Sequence, residues 1–151
     1  MTRTRTAALL LLIFSLCAPG AAFGFGFSKK KPVTIAAEDV AFVPLDPNYP
    51  EGPQIGVVQG NPQKGRSTFF LKLKPGPTPL HSHSSSYQAT VVQGMAKHWP
   101  KGGEATAKTL LPGSYWYQPK KQPHGDACVS QNECIIFIEM EGKFDFVPAA
   151  E

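Results

Sequence analysis

Pro75-Gly76-Pro77-Thr78-Pro79-Leu80-His81-Ser82-His83 is followed by Ser84-Ser85-Ser86 and then by Tyr87-Gln88-Ala89-Thr90-Val91-Val92-Gln93-Gly94. Alternating proline and glycine break any helix and deliver the chain into a β-rich run that ends at Gly94. Residues two apart on a strand face the same way, about 7 Å from one another. His81 and His83 can therefore approach one ion from the same side. Taken alone, the pair reads first as two exposed polar residues in a serine-rich loop.

The texture is the same on either side of this stretch. Residues 68–74 alternate, with Phe69, Leu71 and Leu73 on one face and Lys72 and Lys74 on the other. A short apolar stretch covers 55–58, and further strands are predicted at 87–93, 95–99, 106–110, 114–118, 134–140 and 143–147. The chain carries 15 prolines and 14 glycines and, beyond its N-terminus, no long run of 3.6 periodicity, which argues against helices. Many short strands at this spacing predict an all-β sandwich or barrel. With 151 residues and no internal repeat, one domain is expected.

The N-terminus reads Met1-Thr2-Arg3-Thr4-Arg5, then an apolar run over 7–18, then Pro19-Gly20-Ala21-Ala22. A basic start, an apolar centre and small residues are the three parts of a secretory signal. The run is shorter than the roughly 20 residues a membrane span needs, so no stable membrane insertion is expected. Cys17 follows Leu16, not the small residue of a lipoprotein cleavage site. The expectation is a signal peptide over 1–22, with cleavage after Ala22 or Gly24, a flexible Gly- and Lys-rich lead-in over 23–33, and a domain over 34–151. The protein would then be exported, to the periplasm or beyond. Losing Arg3 and Arg5 leaves 13 basic against 11 acidic residues, too mild a balance to imply nucleic acid. A homodimer stays open. Two cysteines remain, Cys128 and Cys134, flanking 129–133. We read 129–133 as a hairpin loop and expect a disulfide there in an oxidising compartment, with Cys128 as a metal-proximal thiolate the sharper alternative.

A second concentration of chemistry lies at Gly113-Ser114-Tyr115-Trp116-Tyr117-Gln118-Pro119, then His124. A third imidazole from a distant strand would complete a three-nitrogen face and leave coordination positions open. His98, beside Trp99, is expected on the surface or rim and not as a fourth ligand.

These residues carry a resemblance. The stretch from Gly76 to Gly94 resembles the first cupin motif, with His81 and His83 on its histidines and Gly94 on its last glycine. Gly113 to Cys128 resembles the second, matched by Gly113, Pro119 and His124. The wider pattern is similar to small exported cupins of unassigned function, in which segments like 50–54 and 142–146 recur. The resemblance covers about 69–140. It implies a double-stranded β-helix, the cupin jelly-roll barrel, with one divalent transition metal (Fe, Zn, Cu, Mn or Ni) on His81, His83 and His124.

The departures are as informative. Where cupins place a glutamate ligand, this chain has Tyr87, or Gln88 at the alternative spacing, and neither is a carboxylate. Lys121 replaces the second motif's glycine and Cys128 its asparagine. The donor set then resembles that of the three-histidine cupins, including thiol dioxygenases and β-diketone-cleaving dioxygenases, which hold iron. Tyr87, Gln88 and Trp116 are the expected pocket residues, and no catalytic residue stands out. Three neutral ligands leave a dication uncompensated, so a small anionic or chelating molecule is the expected ligand, drawn in also by Lys120 and Lys121. Two functions follow: a metal-binding module without turnover, or a non-haem iron dioxygenase.

Overall fold

Cys134–Met140 alternates buried and half-buried residues along its whole length, the pattern of a strand with one face in a core. In the computed structural model, which describes residues 31–150, it is the centre of the larger of two antiparallel sheets. In chain order the strands are β1 (Val43–Pro44), β2 (Gln54–Gly60), β3 (Ser67–Leu73), β4 (Gly76–Pro77), β5 (His81–Ser82), β6 (Tyr87–Gln93), β7 (Ala96–Pro100), β8 (Tyr115–Gln118), β9 (His124–Cys128), β10 (Cys134–Met140) and β11 (Val147–Pro148). The expected signal peptide and most of the lead-in lie outside the described residues. Among those described, no helix is long and apolar enough to cross a membrane.

The larger sheet runs β1-β2-β3-β10-β6-β8. In the smaller, β9 pairs with β5 and β4, set end to end along one edge, and with β7 along the other; β11 flanks β5. The two sheets face each other across a core of Phe69 and Leu73 from β3, Tyr87, Ala89 and Val91 from β6, and Ile136, Ile138 and Met140 from β10. Each large apolar side chain buried here contributes on the order of 1.5–3 kcal/mol. The result is all-β, as the strand pattern predicts, with the two-sheet jelly-roll arrangement that the resemblance implies.

Three local expectations need correction. Residues 106–110 form no strand: Glu104–Thr106 is a 3₁₀ turn, its backbone satisfied locally by Thr106 N–H to Gly103 O, and Leu110 makes only an isolated bridge to Ala96. Of 143–147 only Val147 joins a strand, because Phe144 N–H bonds Pro62 O and Asp145 O is taken by a histidine ring. Cys128 and Cys134 are disulfide-bonded, with Cα atoms 5.7 Å apart, but not as hairpin partners. One ends β9 and the other begins β10, so the bridge joins the two sheets. Gly94, which ends β6 at φ +81°, passes so close that an added Cβ would lie 3.0 Å from Cys134 Sγ. That explains a glycine there on two counts.

Candidate metal centre

β9 is held between β5 and β7, and its register decides what meets. His81 on β5 lies opposite His124, and His98 on β7 lies opposite Asp126. His124 and Asp126 are two residues apart and project the same way. Three of the chain's four histidines, His81, His98 and His124, thus lie around one carboxylate, and His83, one residue past β5, joins His81 and His124.

His81, His83 and His124 are all buried, and each offers a ring nitrogen within 4.8 Å of the others. Their tautomers follow from backbone partners. His81 Nδ1 lies 2.8 Å from Pro79 O, His124 Nδ1 lies 3.1 Å from Gln122 O, and His83 Nδ1 contacts Asp145 O. A carbonyl only accepts, so each Nδ1 carries the hydrogen and each ring turns its Nε2 toward the other two. This is the arrangement metal-ligating histidines adopt. Burial lowers the His83 imidazole and takes that of His124 down to about 4, so both are neutral at physiological pH. Three mutually facing, desolvated ring nitrogens fit a cation.

The C-terminal segment straps this cluster. Phe146 stacks on His81 with ring centroids 4.4 Å apart, Phe144 on His83 at 5.5 Å, and β11 pairs with β5. Asp145 also accepts the Ser84 N–H at 2.8 Å. On the opposite side, Lys121 N–H donates to His83 O at 2.7 Å. Lys121 has φ 61°, the left-handed region, which is why the motif usually has glycine at this position.

Tyr87 is buried, and its hydroxyl lies 3.3 Å from His124 Nε2, within reach of the Trp116 indole N–H at 3.4 Å. Burial, reinforced by the charge of Asp126, raises its phenol well above the ordinary range, so it stays protonated and is the donor toward His124. Tyr87 and Trp116 both line a cavity of ≈ 80 Å³ beside the histidines, walled by Leu71, Ile136, Ile138 and Phe144. One water needs roughly 10–15 Å³ of such space, so there is room for a small ligand. Gln88 is a correction: strand alternation turns it outward, where its side chain accepts from the exposed Tyr115 hydroxyl. Lys120 and Lys121 are exposed and do not line the cavity; Lys97 does.

The sequence reading missed two residues here. His98 is not on the surface: its ring stacks on Trp116 at 5.0 Å and bonds Asp126 Oδ1 at 2.6 Å and Gln118 Oε1 at 3.0 Å. Asp126 had no motif position to announce it. Burial raises its carboxyl, but the His98 hydrogen bond and the neighbouring histidine charges outweigh that and hold it below the ordinary range. The site therefore contains a carboxylate after all, from β9 instead of β6.

Residues 27–147 match a family described as a domain of unknown function, DUF4437. The chain belongs to that family. No curated protein matches it in sequence. Among solved structures, it is similar to an RmlC-like cupin from Ralstonia eutropha JMP134 at 18% identity and TM-score 0.61, covering 80% of this chain and 79% of that one. The polyketide cyclase RemF from Streptomyces resistomycificus follows at 14% and TM-score 0.60, covering 80% and 87%. KdgF from a Halomonas species matches at 18% and TM-score 0.57, covering 74% and 94%. Likeness at these identities shows the fold alone: this DUF4437 protein is a cupin in architecture.

Proposed function

We propose that this protein is an exported metal-binding cupin that holds one divalent transition metal on His81, His83 and His124 and takes a small anionic or chelating ligand beside it. The observation that carries the reading is the shared orientation: three buried rings, each tied by Nδ1–H to a backbone carbonyl, turn Nε2 toward one another, and among the described residues only the Tyr87 hydroxyl, 3.3 Å from His124, reaches any of them with a hydrogen bond. The metal would supply Lewis acidity and charge. The protein's own residues orient it, exclude water through Phe144 and the aliphatic wall, and hold a phenol proton at Tyr87.

The preference for an anion holds with Asp126 in the site. Gln118 Nε2 donates to Pro119 O at 3.1 Å and Gln122 O at 3.0 Å, so its amide cannot be flipped and its Oε1 faces His98. His98 Nε2 therefore carries a hydrogen, and one further proton lies in the 2.6 Å contact to Asp126. Together the two side chains are neutral, and a dication in the site remains uncompensated. Lys97 adds positive charge at the cavity wall.

The test is metal content and affinity after alanine substitution. Each of His81→Ala, His83→Ala and His124→Ala is expected to lose at least tenfold in affinity. Full metal content in all three would refute the reading. For export, N-terminal sequencing of the mature protein should find a start near Phe23, and Met1 retained in a membrane fraction would contradict it. The second reading, a non-haem iron dioxygenase, draws on the protonated Tyr87 hydroxyl beside an apolar cavity. Oxygen uptake by iron-loaded protein plus a small carboxylate, thiol or diketone separates the two.

A further inference from the structure

Asp126 uses only one of its oxygens within the protein. Oδ1 accepts from His98 at 2.6 Å. Oδ2 accepts no hydrogen bond among the described residues and lies 3.7 Å from Nε2 of both His81 and His124. Both rings spend Nδ1 on a backbone carbonyl, so Nε2 is the atom each turns toward Oδ2. A buried carboxylate oxygen with no donor of its own, aimed at two ring nitrogens, is costly unless a cation is shared among them. Neighbouring donors on one ion, at bonds of about 2.1 Å, are about 3.0–3.4 Å apart. The observed 3.7 Å is a few tenths wider, a gap that a small shift of the side chain closes.

From this geometry we infer that Asp126 is a fourth, anionic protein ligand of the same metal, standing in from β9 for the carboxylate that the first motif lacks at Tyr87. The inference rests on the metal reading above. His98 and Gln118 are its positioning residues. Gln118 is fixed by two backbone carbonyls, it fixes His98 Nε2, and His98 Nδ1 holds Oδ1 so that Oδ2 points inward. The strand supplies the spacing, since a ligand two residues after His124 falls on the same face of β9, with His124 opposite His81 and Asp126 opposite His98. Three nitrogens and one carboxylate oxygen suit divalent zinc, cobalt, iron or manganese and disfavour cuprous ion, which prefers sulfur.

Cobalt(II) is the probe, because its visible absorption reports coordination number and donor type. The Asp126→Asn protein should bind cobalt at least tenfold more weakly than wild type and with altered visible bands. His98→Gln, which keeps a donor for Oδ1, should retain more affinity than His98→Ala and shift the bands less. Unchanged affinity and bands in Asp126→Asn, with cobalt lost in His83→Ala, would remove Asp126 as a ligand and leave the three-histidine site standing. No cobalt binding by wild type at micromolar concentration would overturn both readings. Should Asp126→Asn not fold, a cobalt-edge anomalous map of loaded wild type decides: Oδ2 at about 2.0–2.2 Å from the ion supports the inference, and a position beyond 3 Å refutes it.

Discussion

His124 has no exposed surface at all, and burial brings its imidazole from an ordinary 6.5 down to about 4. In the metal-free protein this makes folding stability depend on pH. The unfolded chain takes up a proton near pH 6.5 while the folded one resists until about pH 4, so stability is lost progressively as pH falls between those values. His83, also lowered by burial, adds to the loss, and Asp126 and Asp145, both held low, contribute only below the ordinary carboxylate range. Urea midpoints of metal-free protein should fall steadily from pH 7 to pH 4.5, and a flat profile would show that these rings are not buried as described. Single side chains were legible in the sequence only where a motif named them. His81, His83 and His124 were placed by spacing. Asp126 was not, because a lone acidic residue between Gly125 and Ala127 looks like a solvated one. His98 was misplaced because its partners, Asp126 and Gln118, come from other strands.

The C-terminal strap is the element on which the site leans. Phe144 is buried between Phe69, at 5.1 Å, and the His83 ring, whereas Phe146 covers His81 from the outside and stays 46% exposed. Phe144→Ala should therefore cost about 3–5 kcal/mol and weaken metal binding along with it, since the carbonyl that orients His83 belongs to the next residue. Phe146→Ala should cost far less stability. Chemical denaturation of the two variants checks this, and equal losses would mean that the strap does not pack as a wedge. Most strands were readable from period-two alternation, β10 most directly. β9 was not: His-Gly-Asp-Ala-Cys has no apolar stripe, being buried by Trp99 on one side and by the histidine cluster on the other. The element that organises the site is thus the one hydrophobic pattern could not reveal.

For the whole molecule, the disulfide joins sheet to sheet at one end of β9 while the histidines gather at the other. A cross-link between sheets restrains the unfolded chain, and a loop this short is worth about 2–3 kcal/mol. Unfolded, unreduced mature protein should show no free thiol, and reduction should lower the unfolding free energy by that amount; two reactive thiols would contradict the bridge. The architecture was legible in advance because alternation and turn residues specify layers, whereas the crossing of the bridge depends on which sheet each strand joins, a long-range fact. His81 and His124 are each tethered to the carbonyl two residues before, and His83 to the strap, before any ion arrives. The rotational entropy of the rings is then surrendered during folding and not at capture. Association should be limited by how fast an ion sheds its hydration water, so that nickel loads much more slowly than cobalt or zinc. Equal loading rates for all three would point instead to a protein motion as the slow step.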